Sequence, residues 1–99
     1  SQASYCANID KNNRNARIFA FQNAGGSTKG EYALTAAQQQ KNEFNIKVQF
    51  VDDTFTMFID SVPVISFMDK KAAQSGNKKF GILTYNTSVT YQNVLFEAN

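Results

Sequence analysis

An antiparallel all-β fold is the class this chain predicts, and three observations predict it. Apolar and polar residues alternate with a period of two almost everywhere. Short turns rich in Asp, Asn and Gly separate the alternating runs. No stretch carries an apolar face at helical spacing. Ninety-nine residues make one domain, not two.

The strands follow in order. "SYCANI" and "ARIFAFQ" alternate near residues 4–9 and 16–22, and "EYALT" makes a shorter run at 31–35. "QNAGGSTKG", between the last two, reads as a flexible loop. "TAAQQQKNE", Thr35 to Glu43, holds good helix formers without an apolar face, which predicts a loop or at most one helical turn. "FNIKVQF" puts Phe44, Ile46, Val48 and Phe50 on one face, and "TFTMFID" does the same for Phe55, Met57 and Ile59. Asp52-Asp53 and Asp60-Ser61 are short enough for hairpin loops. Pro63 lacks an N–H, so "PVISFM" begins there or lies on a sheet edge. After the long connection "DKKAAQSGNKK", two further runs flank "YNTS". Residues 80–85 and 89–96 are expected to pair antiparallel around Asn86-Thr87-Ser88.

Composition narrows the function. Eleven Asn and eight Gln supply uncharged hydrogen-bonding groups, while the net charge is only +2. The lysine pairs Lys70-Lys71 and Lys78-Lys79 are solvated loop charge, not the concentrated basic stripe that binds nucleic acid through counterion release. No apolar run long enough for a membrane helix is present. The single cysteine, Cys6, excludes an intramolecular disulfide and is expected to act as a small buried hydrophobe.

The chain has no histidine, which removes the usual general base and metal ligand and leaves Cys6 without a His partner. "NAGGSTKG" has neither the spacing nor the following helix of a phosphate-binding loop. The eight carboxylates fall mostly in turns and at strand ends, where Asp caps turns, and form no convincing facing pair for glycoside hydrolysis. The expectation is a non-enzyme without cofactor or metal. Asx turns also account for Asp10, Asn12, Asn13 and Asn15, and for Asp52 with Asp53, although such oxygens suit calcium. "NTS" at Asn86 fits a glycosylation acceptor and, more simply, a turn. Sugar binding is one reading among several: Tyr5, Tyr32, Tyr85 and Tyr91 offer aromatic faces, and Asn8, Asp10, Asn86 and Gln92 offer polar contacts.

The ordered motifs add to this. "YCANIDKNNRNARIFAF", "FNIKVQFVDDTFTMFIDSVPVISFMD" and "GNKKFGILTYNTSVTYQNVLF" resemble the C-terminal part of a concanavalin-like or laminin-G-like antiparallel β-sandwich, which implies a jelly-roll. The nearest pattern is the non-catalytic fructan-binding module of bacterial levanases and other β-fructosidases of glycoside hydrolase family 32. Tyr5, Asn8, Ile9, Asp10, Lys47, Val48, Asp60, Asp69, Gly81, Tyr85, Gln92, Asn93 and Val94 match that pattern. The family's opening strands have no counterpart, and Tyr85 stands where a Trp is frequent.

The resemblance implies a carbohydrate-binding accessory segment, secreted or at the cell surface. Fructan would be its partner, and Tyr85, Tyr5, Asn8 and Asp10 its sugar-binding residues. Alternatives of other classes are a sandwich that buttresses a glycoside hydrolase without binding sugar, and a lectin-like adhesion domain with a protein partner. A partial module is also expected to self-associate through an uncovered edge and apolar face.

Overall fold

Period-two alternation, closed by tight turns, becomes two four-stranded sheets in the computed structural model, which describes residues 4–22, 25–69, 79–82 and 89–98. The elements are β1 (Ser4–Asp10), β2 (Asn15–Gln22), β3 (Gly25–Ala33), α1 (Ala36–Gln39), β4 (Glu43–Val51), β5 (Thr54–Ile59), β6 (Val62–Met68), β7 (Lys79–Ile82) and β8 (Thr90–Ala98). One sheet runs β3-β2-β1-β7 and the other β6-β5-β4-β8. The fold is an all-β sandwich, as its alternation predicts.

The core lies between the sheets. Ala7 and Ile9 of β1, Ala16 and Ile18 of β2, and every second residue of β4 and β5 point into it. Phe55 sits at the centre of an aromatic group, its ring centroid 4.5 Å from Tyr5, 4.4 Å from Phe50 and 5.1 Å from Phe67. The two predicted hairpin turns are present between β4 and β5 and between β5 and β6. Asp52, Asp60 and Ser61 all take positive φ, the left-handed region that Asp tolerates through its short polar side chain. Pro63 lies in the edge strand β6, where its missing N–H breaks no ladder. Where a loop or at most one helical turn was expected, the turn forms as α1, held by a capping box in which Gln38 N–H donates to Thr35 Oγ1 (3.1 Å) and Thr35 N–H donates to Gln38 Oε1 (2.9 Å).

Three expectations need correction. The stretch read as the loop "QNAGGSTKG" is largely the strand β3, which pairs with β2 from Gly25 to Ala33. Its ladder hydrogen bonds hold it, and its exposed Ser27, Thr28 and Lys29 carry no apolar alternation to announce it. The expected terminal hairpin does not form: β7 pairs in parallel with β1, and β8 in parallel with β4, in the opposite sheet. Residues 83–88, including Asn86-Thr87-Ser88, lie outside the described residues, as does most of the long connection after Asp69. The sandwich is therefore mixed, one parallel pair closing each otherwise antiparallel sheet. Cys6 is only half-buried, on the outer face of β1, and burial pushes its thiol pKa up.

Candidate functional site: the outer face of the first hairpin

Alternation gives β1 and β2 a second face, turned away from the core. On β1 it carries Cys6, Asn8 and Asp10, and on β2 it carries Asn15, Arg17 and Phe19. The antiparallel register sets these residues in three rows: Cys6 opposite Phe19, Asn8 opposite Arg17, and Asp10 opposite Asn15. Directly opposed side chains approach within about 5 Å at Cβ, so the rows form one surface. A register shift between Ile18 and Phe19, where β2 meets β3, sits beside it.

This outer face is unusual in its burial. Asn8 and Asp10 are each only 1% exposed although they point away from the core. Asp10 is satisfied, because Asn13 donates to it through its backbone N–H (3.1 Å) and its side-chain amide (2.7 Å). That Asx turn shapes the β1–β2 connection, in which Arg14 takes a positive φ. The Arg17 guanidinium reaches to 3.9 Å from the Asp10 carboxylate and lies 4.5 Å from the centre of the Phe19 ring. Neither the amide nitrogen nor the oxygen of Asn8 has a hydrogen-bond partner among the described residues, and the same holds for Asn15 Oδ1 and Arg17 Nε. A buried polar atom without a partner costs about 1–3 kcal/mol, so four on one hairpin face form a concentrated demand for hydrogen bonds.

The demand has a definite chemistry. The Asn8 amide nitrogen and Arg17 Nε need acceptors, while Asn8 Oδ1 and Asn15 Oδ1 need donors. A group that both donates and accepts, such as a hydroxyl, answers it.

A polar groove lies near the turn end of this hairpin. Lys11 Nζ donates to Asn42 Oδ1 (2.9 Å), and Ile9 N–H donates to the Tyr91 hydroxyl (2.8 Å), joining β1 to the start of β8. Burial raises the Tyr91 phenol pKa, and the Asp10 charge adds to this against the opposing effect of the Ile9 N–H. Lys41, Asn42, Glu43, Asn45, Asp60 and Gln92 line the groove, an open cavity of about 430 Å³. Its side chains hold one another: Gln92 donates to Glu43 (3.0 Å), and Asp60 accepts from the Asn45 N–H (2.9 Å) and from Lys41.

Asp60 yields a pH prediction. Partial burial alone would raise its pKa, but the Asn45 donors and the Lys41 ammonium outweigh this and hold it below the ordinary 3.8. A carboxyl depressed in the folded state adds stability above its unfolded pKa and loses it as pH falls through the folded value. Wild type should therefore exceed Asp60→Asn in urea stability at neutral pH, with the gap closing as pH drops below 3.8. A gap that stayed constant with pH would separate the effect from the Asp60 charge.

Of the sequence-predicted site residues, the hairpin brings together Asn8 and Asp10 but not Tyr5. Tyr5 is 2% exposed in the core, and its hydroxyl donates to Asp69 at 2.5 Å. Burial and that carboxylate raise its pKa strongly. The period of two already separates Tyr5 from Asn8, since residues three apart on a strand face opposite ways. Tyr85 lies outside the described residues. Sequence reasoning missed Arg17 and Asn15. Counting back across the turn from Asp10 and Asn15 would have paired Arg17 with Asn8.

The fold and this face define a β-sandwich with an amide- and guanidinium-bearing hairpin surface. No protein-family model, curated protein or solved structure matches the chain.

Proposed function

We propose that this chain is a non-catalytic carbohydrate-binding segment of a secreted bacterial β-fructosidase of levanase type, and that fructan is its partner. The observation that carries the reading is the outer face of β1 and β2, where buried Asn8 and half-buried Asn15 and Arg17 hold polar atoms without a hydrogen-bond partner among the described residues. Sugar hydroxyls offer both. The amide-rich groove at the neighbouring end adds polar contacts of the same kind. The motif order from Tyr5 to Val94 supports the family and, through it, the fructan specificity and the export. Exposed Val94, Leu95 and Phe96 on β8 favour a second reading, a sandwich that buttresses a catalytic domain without binding sugar.

Retention on levan, inulin and cellulose separates the two readings. The chain should be retained on a fructan and not on cellulose. It should release no fructose from sucrose, inulin or levan. Arg17→Ala should weaken retention about tenfold, the loss of one charge-assisted hydrogen bond of about 1.5 kcal/mol. Tyr85→Ala tests the position that the resemblance assigns to the sugar. Absence of retention on both fructans would reject the binding reading in favour of the buttress. Retention unchanged in Arg17→Ala would remove the hairpin face as its site.

A further inference from the structure

β8 is the edge of its sheet among the described residues, with β4 on one side. Its register against β4 shows which way its side chains point. Val94 lies beside Ile46 and Phe96 beside Val48, both core-facing, so Val94 and Phe96 point to the inner face. Asn93, Leu95 and Glu97 lie beside Asn45, Lys47 and Gln49 on the outer face. On the inner face Val94 is 52% exposed and Phe96 37%, and Leu95 is 52% exposed on the other side.

Edge strands ordinarily carry devices that discourage pairing, such as proline, bulges, charges or short length. The other edges have them. β6 carries Pro63, β3 carries Lys29 and Glu31 beside a register shift, and β7 is four residues long. β8 runs for nine residues without proline, and its register shift falls at its start, between Phe44 and Asn45 of β4. From Asn93 onward it is regular and carries one charge, Glu97.

We propose that β8 pairs antiparallel with the β8 of a second copy of this chain, with Leu95 on the two-fold axis. An isologous contact must place residues of the same face opposite each other, so the axis passes through a residue. Centring on Val94 sets Phe96 against Gln92, and centring on Phe96 sets Leu95 against Glu97. Centring on Leu95 sets Val94 against Phe96 twice, Leu95 against its twin, and Asn93 against Glu97 twice. Apolar then meets apolar, each carboxylate meets an amide, and no like charges oppose. Lys47, 3.4 Å from Glu97, stays beside the same carboxylate. The two sheets join into one of eight strands.

Sedimentation across a wide concentration range, with site-directed cross-linking, tests this. Wild type should show a reversible monomer–dimer equilibrium, and Leu95→Lys should be monomeric throughout with an unchanged far-UV circular dichroism spectrum. In a Cys6→Ser background, oxidised Leu95→Cys should cross-link to itself, because opposed residues in an antiparallel pair lie about 5 Å apart at Cα, within disulfide reach. Asn93→Cys should not cross-link to itself, since its twin lies about 13 Å away along the strand. Mixed with Glu97→Cys, it should. A monomer at every concentration, an unaffected dimer in Leu95→Lys, self-cross-linking of Asn93→Cys, or assemblies larger than a dimer would each overturn the proposal.

Discussion

Phe55→Ala should destabilise the domain by about 3–5 kcal/mol, the cost of removing a large aromatic from a packed core and leaving a cavity. The residue is 1% exposed and contacts the rings of Tyr5, Phe50 and Phe67, so both sheets lose packing at once. Tyr5 comes from one sheet and Phe50 and Phe67 from the other, which limits collapse into the void without a shift of one sheet against the other. A chain of this size has about 5–15 kcal/mol of stability in total, so the variant should be partly or largely unfolded at modest urea concentrations. Urea titration followed by circular dichroism checks it. A loss below about 1 kcal/mol would show that the aromatic group is not the centre of the core.

Gly30→Ala should cost about 1–3 kcal/mol, the usual penalty for forcing a methyl into a packed interface. Gly30 lies on β3 opposite Ile18, pointing inward where β3 passes over β6. An added Cβ would fall well inside van der Waals contact of the Ile65 Cγ2 methyl. That methyl sits on a β-branched side chain with a stiff χ1, and Ile65 is itself buried, so relief must come from the strands moving apart. In open surroundings Gly-to-Ala in a strand would instead stabilise by about 0.5–1 kcal/mol, so the sign of the change is diagnostic. Ile65→Ala removes the obstructing methyl. The double variant should therefore be more stable than the sum of the two single changes implies, and simple additivity would sink the steric account.

Much of the fold was legible because its signals are local. The alternation in β4 and β5 names their buried residues one by one, from Phe44 to Ile59. The Asp52-Asp53 and Asp60-Ser61 turns follow from residues that tolerate positive φ. β3 was hidden because its first half, Gly25 to Gly30, carries no apolar alternation, and only its pairing with β2 places it in the sheet. The expected terminal hairpin rested on the tendency of consecutive strands to pair, which β7 and β8 do not follow. The candidate site was half legible. Asn8 and Asp10 were named from their chemistry, but Arg17 and Asn15 needed the β1–β2 register to come beside them.

The sequence by itself determined most of the strands and the two tight hairpins, held Thr35 to Glu43 to at most one helical turn, and limited Pro63 to a strand start or a sheet edge. Each depends on side-chain alternation or backbone preference within a few residues. Only the tertiary structure decided that β7 joins β1 and β8 joins β4 in parallel, and that Tyr5 faces the core while Asn8 is buried on the outer side. Alternation states which residues share a face, not which face meets the other sheet. That choice, like the choice of strand partner, is made by burial across the whole chain, where long-range packing outweighs any local preference.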